Sequence, residues 1–137
     1  MDDFPPLPAF DLLDNAAAVL GVFETVNLYD ADIRGVRVSL AAPPAVEVDI
    51  HLPGSWAAAV PEAGRTAEYR ITFRCLDATA VHVDDLHAQN VVGEYGFEED
   101  PDGNGRRFWI QGTVGCDIDV RCARIEVASV EPIRAAP

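Results

Sequence analysis

The strongest constraint on this chain is a period-two alternation that recurs through most of its length. In "VEVDIHL", Val46, Val48, Ile50 and Leu52 point one way and Glu47, Asp49 and His51 the other. "EYRITFRCL" sets Tyr69, Ile71, Phe73 and Cys75 against Arg70, Thr72 and Arg74. In "VRVSL", Val36, Val38 and Leu40 share a face, and in "AVHVDDL" Val81 and Val83 point inward with His82 outward. Such alternation is what a strand with one dry and one wet face requires. "EYGFEE" and "RRFWIQG" flank the turn-rich "DPDGNG" and read as a hairpin, with Glu98 and Glu99 facing Arg106 and Arg107. The closing "GCDIDVRCARIEVASV" keeps Cys116, Ile118, Val120 and Cys122 in phase, then slips to Ile125 and Val127 without a turn residue. That slip predicts a β-bulge near Ala123 bending one long strand.

Before residue 32 the period differs. Phe10, Leu13, Ala17 and Leu20 fall at helical spacing, predicting a short helix over about residues 9–20 that Gly21 ends. The expected fold is therefore mainly β (α+β): an antiparallel, strongly curved sheet or β-sandwich of about seven or eight strands with one short N-terminal helix. Its 137 residues form a single domain, 1–137, with the antiparallel β core over about 32–131. "PGSWAAAVPEAGRT" is the one long loop and is expected to be the most mobile segment.

Charge narrows the partners. The chain carries a net charge of −13, and all ten of its basic residues are arginine. This charge repels nucleic acid and anionic membranes and favours a basic partner. The opening "MDDFPPLP" is acidic and proline-broken, unlike a signal peptide, and no apolar run approaches the span of about 20 residues that crosses a bilayer. A cytoplasmic location is the expectation. Three cysteines fit a reduced compartment. Cys116 and Cys122 in one strand would stand about 20 Å apart, whereas Cys75 can meet one of them across strands; we read all three as buried thiols.

No pattern announces a reaction. "DPDGNG" matches the opening of a calcium loop through Asp100, Asp102, Asn104 and Gly105, but position twelve, where a glutamate should close the site, is Gln111. The residues equally suit a tight hairpin. His51, His82 and His87 lack zinc-ligand spacing, so no metal and no cofactor is expected. The serines Ser39, Ser55 and Ser129 lie in no nucleophile elbow, and the cysteines fall on dry faces. An enzyme would have to rest on a corner of His82, His87 and Asp84. That corner, "VDDLHAQNVVGEY", reads better as a bend: Asp84 or Asp85 caps a helical turn, Leu86 enters the core and Asn90 holds an irregular backbone step. The exposed acids are the candidate binding residues. Glu47 and Asp49 share a face with His51, Asp117 and Asp119 share another, and Asp30 and Asp32 cluster with Glu24 before the first strand. Repeated carboxylates on a sheet face complement a cationic protein surface.

In order, "LYDADIRGVRVSL", "VEVDIHL", "YRITFRCLDATAVHVDDLHAQNVVGEY" and "GCDIDVRCARIEVASVEP" resemble the immunity protein 50 family of bacterial polymorphic toxin systems. Tyr29, Asp30, Ala31 and Asp32 stand at that family's first step, with tyrosine replacing its histidine. Leu86, His87, Gln89, Asn90 and Val91 stand at its corner, and Gly115, Val120 and Cys122 on its closing strand. The resemblance covers about residues 28–132 and implies a non-catalytic protein that binds and neutralises a cognate toxin domain, such as a basic nuclease, in the same cell. It would act as a monomer or weak homodimer. The competing expectation is a small-molecule binder using the inside of a curved sheet lined by Trp56, Tyr95 and Trp109.

Overall fold

A computed structural model of the chain describes residues 12–23, 27–87, 89–100 and 105–133. Its strands are β1 (Leu13–Asp14), β2 (Asp32–Ser39), β3 (Ala45–Leu52), β4 (Glu68–Leu76), β5 (Ala80–Asp84), β6 (Val91–Glu99), β7 (Arg106–Val114), β8 (Asp117–Cys122) and β9 (Arg124–Ile133), and its one α-helix is α1 (Ala17–Phe23). All nine strands belong to one sheet, in the order β1-β9-β4-β3-β2-β6-β7-β8-β5. The fold is mainly β, as the alternation requires. It departs from expectation in having nine strands, and in the parallel pairing of β1 with β9 within an otherwise antiparallel sheet.

The sheet has two limbs. β1-β9-β4-β3-β2 and β6-β7-β8-β5 join where β2 pairs with β6 through a single residue pair, Asp32 opposite Val91. The limbs nevertheless share one core. Phe73 of β4 lies 5.3 Å from Phe97 of β6 and 5.4 Å from Phe108 of β7, centroid to centroid, although three ladder steps separate β4 from β6. The sheet therefore curls over itself, with the dry faces of both limbs turned inward. Val46, Val48, Ile50, Ile71, Phe73, Ile118, Val120, Ile125 and Val127 are all buried, as the alternation predicts. Tyr95 sits at the limb junction, where its hydroxyl accepts the Leu28 N–H at 3.2 Å and burial pushes its pKa up to about 12.

Ala123 is a bend rather than a bulge within one strand. Before it, β8 pairs with β7 and β5; after it, β9 pairs with β4 and β1. The Ala123 N–H is meanwhile donated to the Leu76 carbonyl. The chain thus steps from one limb to the other without a hairpin. Cys75 of β4 and Cys122 of β8 meet across that step and share a hydrogen bond, which together with burial pushes the Cys75 thiol up.

Four local expectations change. The helix lies at 17–23 and not 9–20 because Asn15 adopts φ 63°, which no helix passes through, and Leu13 is drawn into the sheet beside Ile125. Gly21 lies inside it, and residues 9–11 fall outside the described residues. Val38 and Leu40 are 47 % and 86 % exposed and Val81 39 %, because among the described residues nothing is laid over the dry faces at these ends of β2 and β5. Leu86 is 72 % exposed and so does not enter the core, and residues 85–87 form no helical turn. The segment 53–66, expected as one long loop, contains two short 3₁₀ turns, Gly54–Trp56 and Glu62–Thr66. From the second turn Arg65 donates to the carbonyls of Val60 and Ala58, which lie between the two.

Candidate protein-binding face

The two limbs present wet faces of different electrostatic character. On the five-strand limb, Glu47, Asp49, Glu126 and Glu131 are matched by arginines on neighbouring strands, and Glu68 lies beside His51. Arg37 holds both oxygens of Asp49, and the Thr72 hydroxyl donates to Asp49 Oδ1 at 2.8 Å. Glu47 lies between Arg37, whose Nε is 3.2 Å away, and Arg74, whose Nη2 is 2.7 Å away. Arg74 continues to Glu126 at 3.0 Å, and Arg70 pairs with Glu131. Arg37 holds the Asp49 carboxyl below the ordinary carboxylate range, and Arg74 does the same for Glu47. Glu47 and Asp49, two of the candidate binding residues, are thus ion-paired within the sheet, and Asp49 is buried. Arg37, Arg70 and Arg74 at outward positions were the sequence signal for this pairing.

The four-strand limb is different. Arg107 bridges Glu98 at 2.8 Å and Asp119 at 2.7 Å, and Arg121 pairs with Asp100 at 3.1 Å. The hairpin pairing of Glu98 and Glu99 with Arg107 and Arg106 is as expected. On the strands of this limb, three outward carboxylates have no arginine partner among the described residues: Asp84, Asp117 and Glu94. Register puts Asp84 directly opposite Asp117, two like charges side by side. Asp117 accepts the Gly112 N–H at 3.0 Å, and Asp84 lies 3.8 Å from His82 Nε2. A hollow of about 450 Å³ opens on this face, its lining including His82, Asp84, Arg107, Trp109, Asp117 and Asp119.

Trp109 forms the floor. Gly96 is its cross-strand partner, and a Cβ there would collide with the indole, so glycine lets the ring lie flat across β6. Arg107 stacks over the ring 5.8 Å from its centroid, and the indole Nε1–H is buried without a partner. This arrangement was not anticipated, although the Glu98–Arg107 pairing places Trp109 opposite Gly96 by counting along the hairpin.

The remaining candidates fall elsewhere. Asp32 pairs with Arg34 at 3.3 Å and Asp30 is exposed with φ 64°, both at the limb junction and outside the hollow. Glu24 lies outside the described residues, as do Asp102 and Asn104 of the calcium-like loop, whose Asp100 is held by Arg121. Trp56, Tyr95 and Trp109 do not line one cavity: Trp56 is on an outer turn, Tyr95 in the core and Trp109 on the wet face. His51 lies beside Glu68, and His87 belongs to the corner. At that corner Asn90 Oδ1 accepts the N–H groups of His87 and Cys116, and its amide donates to the His87 carbonyl, as expected of a residue holding an irregular step. Among the described residues no group of three or more His, Cys, Asp or Glu could hold a metal, and no helix is long and apolar enough to cross a membrane.

Comparison with protein-family models, with curated proteins and with solved structures finds no match to this chain.

Proposed function

We propose that this chain is a non-catalytic binding protein that captures a basic protein domain on the outer face of β5, β8 and β7. Following its sequence resemblance, that domain is a cognate toxin domain which the chain neutralises inside the cell. The observation that carries this reading is the uneven matching of charge. One wet face matches Glu47, Asp49, Glu126 and Glu131 with Arg37, Arg70 and Arg74, whereas the other leaves Asp84 and Asp117 unmatched at a tryptophan-floored hollow and Glu94 unmatched on β6. Unmatched carboxylates beside a flat aromatic surface favour arginine- and lysine-bearing partners, both electrostatically and by stacking.

The test is affinity capture from the native host, followed by titration with the purified basic domain so recovered. Asp84→Arg and Asp117→Arg each weaken binding by about tenfold or more, and added salt weakens the wild-type complex. Glu131→Arg, on the opposite limb, leaves binding unchanged. Equal binding by all three variants, or a complex indifferent to salt, overturns the reading.

A further inference from the structure

The sheet is open along one seam, and the seam is lined on both sides. β5 ends the sheet order, so among the described residues it pairs with β8 alone. β2, beyond its single contact with β6 at Asp32, has β3 as its only neighbour. These two open edges flank one hollow of about 370 Å³, whose walls are Val36 and Val38 from β2 and Val83 and Leu86 from β5 and its exit, with Ile33 and Cys116 beneath. Val38 and Leu86 are exposed along it, and Val81 is exposed on β5. Natural sheets commonly protect an open edge with inward-pointing charge, proline or a covering loop. Here Val36, Val38, Val83 and Leu86 face the seam, and the polar groups beside them are Asn90 and Arg34, the latter paired with Asp32.

We propose that this seam is a strand-acceptor site: an extended segment of the partner adds to the open edge of β5 as a further strand. The proposal deepens the reading above and rests on it, because the seam borders the acidic face. Alternate residues of an edge strand turn both their N–H and C=O outward, which supplies the backbone recognition. Side-chain recognition follows from the pleat. Next to β5, every second side chain of an added strand stands on the wet face beside His82 and Asp84, and the others turn inward beside Val81, Val83 and Leu86. The segment that fits is therefore a short β-strand alternating basic and apolar residues. A second copy of this chain fits poorly, since pairing two β5 edges would set two acidic faces together in molecules each carrying −13.

The probe is a short capped peptide of alternating arginine and valine. Its controls are a peptide of the same composition with the arginines and valines in separate blocks, and the alternating peptide with backbone N-methyl groups along one edge. The alternating peptide binds the full chain, while both controls bind about tenfold or more weakly. Leu86→Ser and Val81→Ser, both at exposed positions and neutral in charge, weaken the alternating peptide without altering thermal stability. Equal binding of all three peptides, sensitive only to Asp84→Arg and Asp117→Arg, overturns strand addition and leaves the acidic-face reading standing. No peptide binding to a chain that still captures its basic domain overturns it as well. So does concentration-dependent dimerisation that Leu86→Ser abolishes, which would make a second copy the occupant.

Discussion

Asp49 shows how a carboxylate becomes part of a sheet. It is buried on a nominally wet face, takes two hydrogen bonds from Arg37 and one from Thr72, and is held below the ordinary carboxylate range chiefly by the Arg37 contact. A folded-state pKa lowered in this way contributes stability that is present above the unfolded value and lost as pH falls through the folded one. Asp49→Asn therefore costs about 1 to 3 kcal/mol at neutral pH. The gap between urea melts of the two proteins should narrow as pH falls below the ordinary aspartate range; a gap unchanged between neutral and acidic pH would show that the charge is not what matters. The sequence made Asp49 legible as outward-facing but not as paired, because pairing depends on which strands are neighbours. Leu86 fails in the opposite sense: an apolar residue between two strands looks like core, yet it is exposed at the exit of β5.

The β6–β7 hairpin was readable in advance because its turn is local and its charges oppose each other. Its consequence for the wet face was not, because it arises from one missing side chain. A methyl group at Gly96 meets the Trp109 indole, whereas one at Gly21 in α1 meets nothing within 4 Å. Gly96→Ala accordingly lifts the indole from β6, costs about 1 to 3 kcal/mol and shifts tryptophan emission toward that of a hydrated ring. Gly21→Ala instead gains about 0.5 to 1 kcal/mol from helix propensity. Thermal melts and emission spectra of the two variants check both, and a Gly96→Ala protein with unaltered emission would remove the flat indole from the hollow. α1 itself shows a limit of periodicity: Phe10, Leu13, Ala17 and Leu20 are spaced for a helix, but a left-handed Asn15 whose side chain bonds the Val127 carbonyl starts it later.

For the whole molecule, the alternation reveals which side of each strand is dry without revealing the order of strands. The parallel pairing of Leu13 with Ile125 joins distant parts of the chain and leaves no local trace. The curl of the sheet does have a chemical reporter. Cys75, Cys116 and Cys122 are 0 %, 1 % and 3 % exposed, and the first and last hold the two limbs in contact. All three thiols should react with an aromatic disulfide reagent about a thousandfold or more slowly in the native protein than in denaturant. One thiol titrating at once would mean that the limbs part readily. The bend at Ala123 also bears on how the chain acquires its structure. The four-strand limb is drawn from one continuous stretch, Ala80 to Cys122, so its contacts are short in sequence and quick to close. The other limb is interrupted by that whole stretch: β4 is complete at Leu76, but its second neighbour is the ten-residue β9, which begins at Arg124. On a ribosome, β4 therefore waits with one side bare while the intervening limb is made, and that wait is the interval in which a nascent chain of this design most needs a chaperone.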